Sequence, residues 1–517
     1  MTARWPAPSA SIAAPLVAIG ALLLYVETMA GTLTLAHGGS DGAELAVAVH
    51  TLGIPHPTGY PTYVLLAQAF RLLPWGESLA GRLNLFSALA AALAAGLVAA
   101  IVVDLLGRER PWAAGIGACS GGAALAVAGL FWSQALITEV YALHAFFLAL
   151  ACWLLLRWRR QGGSFLPLAG LALGLGLGNH LSLLFLLPGA VLFVVWVCRS
   201  RQDFGAGREK GPAARRPAAW EIPAALLLGL AGLAVYLYLP LRAAADPWLN
   251  WGAPVDGAAF WAHVSARAYQ HYLFQVPLPE VLGRLSAAAG MLWRDFYPWG
   301  LLLGLGGLYV LGRNDRPALG LLAVPAGLGL VLALTYGGAD SQVHLLALYM
   351  ALAVAGGVAA GMLARFLERR LGKAGRWLAL LLPALSVVLV VVGWPQWSLR
   401  ADPGPWPEIV PRLAALPPGS ILLADRDELT FPLWYAQQVE GVSPDVAIVD
   451  VRLLAWPWYR RQLPERYPGL VVPEPAGEPL RALLQANPGR PAFTLGPLAL
   501  PDGYSLRYAG PVYQVVP

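Results

Sequence analysis

Charge is scarce in this chain. Asp, Glu, Lys and Arg make up 12% of its 517 residues, against about 25% in a soluble domain, which excludes an ordinary water-soluble globular protein. Cysteine is scarcer still. Cys119, Cys152 and Cys198 are the only three, each inside an apolar run with no CxxC or Cys/His spacing. That excludes a disulfide framework and a thiolate metal site, and leaves three small buried hydrophobes. No glycine-rich phosphate cradle of the nucleotide-binding kind occurs. The net charge of +6 is not a nucleic-acid signal, because the basic residues sit in short clusters between apolar runs, the pattern of topology control.

What the chain has is apolar sequence. It is 58% hydrophobic with a mean hydropathy of +0.59, and about 20 apolar residues suffice to cross a bilayer. The apolar runs between polar breaks predict an α-helical polytopic membrane protein of about eleven spans, at 11–31, 84–106, 112–131, 140–158, 164–179, 181–198, 220–241, 290–312, 317–336, 343–364 and 376–395. The first run is long for a signal peptide and lacks a small-x-small cleavage site, so it is expected to stay as a span. The runs at 164–179 and 181–198, parted only by Asn179 and His180, read as a tight hairpin or a broken helix.

With the N-terminus cytoplasmic, the inside segments are those around Arg4, GRERP, RWRRQ, CRSRQDFGAGREKGPAARRP, GRNDRP and RFLERRLGKAGR. The outside segments of the membrane half hold only Arg71, Arg82, Arg242, Arg267, Arg284 and Arg294. This satisfies the positive-inside rule at every turn; the membrane expected is the plasma (inner) membrane. The same orientation collects Asp41, Glu44, His56, Glu139, His180, Asp246, Asp256 and Asp340 at the outside ends of spans, an acidic and aromatic rim that suits an outward-facing site.

The pattern divides near residue 400. Residues 1–399 form the membrane half, with a large first outside loop at 32–83. Residues 400–517 read as a small α/β domain outside the membrane, because PGSILLADRDELTFPLWYAQQVEGVSPDVAIVDV reads as strand, acidic turn, helix and strand. Asp425 and Asp427 follow the first strand, where they serve either a ligand or a helix start.

The stretch DGAELAVAVHTLGIPHPTGYPTY, residues 41–63, carries the densest chemistry. VAVHTLG and YPTYVLLAQAFRLLPWG have apolar faces at helical spacing and read as interfacial helices. IPHPTGYP cannot be a regular helix, since its prolines and glycine force a rigid turn. Asp41 and Glu44 have two readings: a capping-box start, or two carboxylates on one side of a helix at a site held by that turn. His56 sits between prolines, where a packed loop histidine is the plainer reading. Glu139 at the start of a span is either a buried functional acid or a group favoured by the helix dipole.

DGAELAVAVHTLGIPHPTGYPTYVLLAQ, RLNLFSALAAALA, FWSQALITEVYALHAFFLAL, GLGLGNHLSLLFLLPG, YLYLPLRAAADPWLNWGAP and PLWYAQQVEGVSPDVAIVD, in this order from about residue 20 to 460, resemble glycosyltransferase family 117. This is a group of multispan proteins in the GT-C superfamily, with a eukaryotic protein O-mannosyltransferase as a relative. The resemblance implies an integral-membrane glycosyltransferase that takes sugar from a polyprenyl-phosphate donor and usually inverts C1, with an essential acid in the first outside loop. That position matches Asp41, with Glu44 beside it, as the expected catalytic pair. His56, Tyr60, Glu139 in SQALITEVY, His180 in GNHLS and Arg242 in YLPLR are the expected substrate-binding residues. A carboxylate within reach of the acceptor hydroxyl would take its proton, and Arg242 at a span end would meet the lipid phosphate, unless it is only an interface anchor. Trp248, Trp251 and Trp261 read as aromatic belt rather than sugar platform.

No DxD stands in the first loop, which argues against a nucleotide-sugar donor, and the sequence asks for no cofactor or metal. The partners implied are the lipid-linked donor, an unidentified acceptor and the bilayer, with no nucleic acid. The alternative function is a transporter or flippase of a lipid-linked glycan, which rim charges would suit, although no internal repeat relates two halves of the chain. A third is a non-catalytic assembly protein.

Overall fold

The computed structural model describes residues 12–107, 110–200, 218–474 and 477–517. Arg4, part of GRERP and most of the basic stretch before Glu221, on which the inside assignment leans, lie outside the described residues. The apolar runs fold as helices: α1 Ala13–Thr28, α2 Gly42–Thr51, α3 Pro61–Arg71, α4 Leu79–Leu106, α5 Pro111–Ala126, α6 Gly129–Ala135, α7 Tyr141–Gln161, α8 Phe165–Leu177, α9 Leu186–Ser200, α10 Glu221–Leu233, α11 Tyr238–Ala244, α12 Gly257–Val264, α13 Leu278–Asn314, α14 Arg316–Thr335, α15 Leu346–Ala379 and α16 Leu381–Trp397.

Among the described residues, six helical stretches are long and apolar enough to cross a membrane, or seven if α5 and α6, bent by 68° at their junction, count as one. The helices α1 and α8 are apolar but shorter. Helix α13 begins well before the apolar run at 290–312 and is interrupted at Tyr297, ahead of Pro298, whose ring cannot continue the preceding turn. Helices α8 and α9 pack against different neighbours, α10 and α14.

Glycine explains the close helix contacts. Lipid-embedded helices gain little from apolar burial against one another, so association rests on close packing of small residues. A Cβ on Gly174 would run into the Gly229 carbonyl oxygen of α10, and one on Gly117 into that of Gly357 in α15. Some of the polar groups buried in this half are held by fixed partners. Glu221, fully buried, accepts from Trp158 Nε1 (2.8 Å) and the Gly163 amide (2.7 Å).

After α16 come α17 Trp406–Ala414, β1 Ile421–Ala424, α18 Asp427–Gln438, β2 Ala447–Asp450, α19 Pro457–Arg466, α20 Pro479–Ala486, β3 Ala492–Thr494, β4 Ser505–Ala509 and β5 Val512–Val516. The strands form one sheet in the order β2-β1-β3-β5-β4, with β1 parallel to both neighbours and β3, β5 and β4 antiparallel. Every residue of β1 and β2 is buried, as parallel strands covered on both faces require.

Helix α18 packs on β2 and also on α2, so Thr430 through Gln437 are all buried and no polar face is left. Helix α2 is correspondingly buried from Gly42 to Val49. VAVHTLG therefore does not lie along the lipid interface, because α18 covers the face that would have met it. Helix α3 does expose Leu65 and Leu66.

The tail is joined to the rest by polar and aromatic contacts. Trp406 Nε1 donates to Thr32 Oγ1 (2.7 Å), the Ala80 amide to Tyr435 Oη (3.2 Å) and Gln462 Nε2 to the Asn250 carbonyl (2.8 Å). Trp248 meets Trp434 at 5.8 Å under the Arg466 guanidinium, and Trp251 meets Trp458 at 5.2 Å. These two indoles are not a membrane belt, since both are engaged by the tail; Trp261 is exposed. Trp248→Ala is expected to loosen this junction at a cost of about 2 kcal/mol. The expected signs are a lower melting temperature in detergent and faster proteolysis around residues 399–405; an unchanged melt and digest would contradict it.

Candidate active site

The site begins where α1 ends. Asn84 Nδ2 donates to the carbonyls of Ala30 (2.9 Å) and Thr32 (3.0 Å), and the chain then reverses through His37 and Gly38, both at positive φ. It enters α2 through Asp41 in helical conformation, φ −77° and ψ −15°, with no side-chain bond to the helix amides. An N-cap needs extended backbone to turn its carboxylate onto those amides, so the capping role is not taken and the Asp41 carboxylate is left for other partners. Gly42 brings this corner against the loop before α7: a Cβ there would sit 2.9 Å from the Thr138 carbonyl oxygen. That loop is pinned by Thr138 Oγ1 to Asn84 Oδ1 (2.7 Å) and by Asn179 Nδ2 to the Val140 carbonyl (3.0 Å).

The turn 54–61 folds back over α2. The Ile54 amide donates to Leu249 O (2.7 Å) and the Trp251 amide to Ile54 O (3.1 Å). Gly59, at φ +81°, lies so close to Leu239 that a Cβ would meet it at 2.7 Å. So held, His56 reaches Glu44: its amide donates to Oε1 (3.1 Å) and its Nδ1 to Oε2 (2.5 Å). Its Nε2 donates to Tyr60 Oη (2.9 Å) and stands 3.7 Å from Asp41 Oδ2. Glu44 is fully buried, whereas the Asp41 side chain keeps 31% of its surface.

Burial alone would lower the His56 imidazole, but the charges of Glu44 and Asp41 and the hydrogen bond to Glu44 outweigh it and hold it at about 10. At neutral pH His56 is therefore an imidazolium with both nitrogens donating. The Asp41 carboxyl is pushed up to about 6, first by burial and then by the charges of Glu44, Asp427 and Asp340, against the opposing charge of His56. It is ionised at pH 7 yet more basic than an ordinary carboxylate, the range that suits a general base. Glu139 is buried and raised well above the carboxylate range, by burial first and then by the charges of Asp41 and Asp340.

Aromatic and imidazole rings surround this cluster. Tyr60 stacks on His180 (6.4 Å between centroids, 14° between planes), and His180 lies 5.4 Å from both Tyr141 and His144 and 6.0 Å from His344. Burial keeps His180 neutral. Its Nδ1 faces Ser182 Oγ (2.8 Å), and Tyr141 donates to Asp340. Trp251 and Tyr269 stand edge-on to His56 at 6.3 and 6.1 Å. Among the described residues no group of three His, Cys, Asp or Glu is arranged to hold a metal ion.

The structure thus gathers Asp41, Glu44, His56, Tyr60, Glu139 and His180, and leaves Arg242 aside. Arg242 Nε donates to the Leu52 carbonyl (2.7 Å) and Nη2 to that of Thr51 (3.4 Å). It anchors the end of α2, where the last carbonyls lack helical partners, through one edge of its guanidinium. Tyr141 and Tyr269 carry no signal of this site in the sequence, whereas Asp340 stands in the acidic rim and Asp427 is read only as a ligand or helix-start residue of the tail.

A carboxyl infrared band lost in Asp41→Asn is expected to titrate near pH 6 in the wild type. It should titrate higher in His56→Gln, because the imidazolium that favours the carboxylate is gone. A band titrating near 4 in both proteins would refute this electrostatic picture.

Comparison with known proteins points the same way. Residues 41–203 match the family described as the N-terminal domain of protein O-mannosyl-transferase TMEM260, and residues 411–468 match TMEM260-associated domain 2. The mouse (Mus musculus) protein O-mannosyl-transferase TMEM260 is 26% identical over 510 residues, which covers 91% of this chain and 67% of the mouse protein. Among solved structures, ArnT from Cupriavidus metallidurans in the apo state superposes with a TM-score of 0.56 at 13% identity, over 98% of this chain and 97% of that one. ArnT bound to undecaprenyl phosphate gives 0.52 at 15% identity, over 86% and 91%. The Archaeoglobus fulgidus oligosaccharyltransferase tethered with an acceptor peptide gives 0.50 at 14%, over 83% and 63%. The chain therefore shares the fold of these membrane proteins and is similar in sequence to the TMEM260 protein O-mannosyl-transferases, most plainly over residues 41–203 and 411–468.

Proposed function

We propose that this chain is an integral-membrane glycosyltransferase of the GT-C type, in glycosyltransferase family 117. In this reading it moves a sugar from a polyprenyl-phosphate donor to an acceptor hydroxyl outside the cytoplasm, with inversion at C1. The observation that carries the proposal is the Asp41 carboxylate, uncapped, partly accessible and raised to about 6 beside the imidazolium of His56. The likeness to TMEM260 and the ArnT fold support the choice of chemistry.

In the proposed reaction the acceptor oxygen attacks C1 of the sugar and the C1–O bond to the lipid phosphate breaks, its electron pair leaving with the phosphate. Asp41 takes the hydroxyl proton as the new glycosidic bond forms. His56 has no lone pair to offer while it is protonated, so it is not the base. Its role is to hold Asp41, and Glu44 keeps it charged. Glu139 and His180 line the sugar-binding side. The proposal includes about eleven spans, a cytoplasmic N-terminus, a membrane half at 1–399 and the tail, 400–517, outside the plasma membrane.

Purified protein in detergent, given radiolabelled polyprenyl-phosphate hexoses and envelope extract, is expected to transfer sugar. Asp41→Asn should lose at least about a thousandfold, the scale of removing a positioned base. Protonated Asp41 cannot accept a proton and neutral His56 no longer pairs with Glu44. The rate in kcat/KM should therefore rise with pH to a plateau above about 6 and fall again near 10. Equal transfer by wild type and Asp41→Asn would sink the assignment of the base. No transfer from any lipid-linked hexose by folded protein would favour the transporter.

A further inference from the structure

The carboxyl ends of the parallel strands β1 and β2 carry a cluster that the proposed reaction does not use. Asp450 closes β2 and is fully buried. Its Oδ2 accepts from Thr430 Oγ1 (2.7 Å) and its Oδ1 from the Arg452 amide (2.9 Å). The same carboxylate takes Arg452 Nε (3.2 Å) and Nη2 (2.7 Å) as a fork, and Nη2 also donates to Asp427 (2.6 Å), which opens α18 after β1. Arg452 is thus locked along one edge. Among the described residues its Nη1 donates to nothing, and its side chain remains 44% exposed.

This cluster faces the candidate active site. Helix α18 packs on the 36–41 turn and on α2. From Arg452 the chain runs through the exposed Trp456 to Trp458, which packs on Trp251, the indole edge-on to His56. The charge of Asp427 is felt at both Asp41 and His56. Open α/β sheets hold ligands outside the carboxyl ends of their parallel strands, and here that end is the one beside the acid of the membrane half.

We propose that Arg452, clamped by Asp450 and Asp427, is the subsite that binds an acceptor polypeptide, its Nη1 edge donating to a backbone carbonyl so that the segment runs over Trp458 toward Asp41. This rests on the glycosyltransferase reading above. Two carboxylates on one guanidinium leave the cluster net negative, which repels a lipid phosphate and suits a neutral carbonyl. An arginine already fixed by a fork loses little side-chain freedom on binding. Arg452 is then a specificity-determining residue, and the tail selects the acceptor.

The test is binding, independent of turnover. A fluorescein-labelled, uncharged peptide rich in serine and threonine is titrated by anisotropy into the full-length chain in detergent, in the Asp41→Asn background. Arg452→Gln is expected to weaken its Kd at least about tenfold, and Arg452→Lys should fail to restore it. Asp427→Asn, which leaves the Asp450 fork intact, should weaken it about threefold. Arg452→Gln, which takes the fork from the buried Asp450, should melt lower than the parent yet elute with it. Arg452→Lys and Asp427→Asn should melt close to the parent, and polyprenyl phosphate should not displace the peptide. Unchanged affinity in Arg452→Gln, no binding by the parent, or displacement by polyprenyl phosphate would each overturn the subsite. Absence of sugar transfer by wild type that still binds the peptide through Arg452 would instead count against the glycosyltransferase reading.

Discussion

The bond from His56 to Glu44 is the constraint on which the rest of the site depends. Glu44 is fully buried in a helix that the tail covers, and a carboxylate without a partner there would cost several kcal/mol. His56 supplies the partner through both its amide and its ring. The turn that carries it must therefore close over α2 in one register. That closure brings the ring to Asp41 and Tyr60 together, and the positive charge held there tempers how far burial can raise the Asp41 carboxyl. Breaking the pair would change a structural lock and a catalytic environment at once.

The surrounding fold is arranged to keep that lock in place. Arg242 fixes the end of α2, Asn84 fixes the loop before Asp41, and Asn179 fixes the loop that carries Glu139. Each joins segments far apart in the chain through a side chain donating to a backbone carbonyl, the economical way to satisfy irregular backbone near a bilayer. The glycine contacts between α8 and α10 and between α5 and α15 do the same work within the apolar half, where shape complementarity has to replace the hydrophobic effect.

The tail is less an appendage than a wall of the site. Helix α18 is buried on both sides because it serves two cores at once, the sheet beneath it and α2. Trp248 and Trp251, which composition alone would send to the membrane interface, turn instead toward Trp434 and Trp458. A group at the ends of β1 and β2 therefore stands within electrostatic reach of His56, although the two belong to sequence segments with unrelated patterns.

Read alone, the sequence determined the membrane character of the chain, the helical runs, the strand-helix-strand start of the tail, and the short stretch in which Asp41, Glu44, His56 and Tyr60 lie. Those properties are local: they follow from apolar run length, from prolines and glycine that forbid a helix at 54–61, and from acids placed beside them. Only the tertiary structure decided what each group does. Asp41 gave a valid capping pattern, and it is the backbone conformation at the turn, set by Gly42 against Thr138, that leaves it uncapped. Arg242 fitted a phosphate ligand or an interface anchor equally well, and only the fold turns its Nε and Nη2 onto Leu52 and Thr51. The pairing of Tyr141 with Asp340, and the approach of Asp427 to His56, had no local signature, because a contact between distant segments depends on how helices pack and not on the pattern within any one of them.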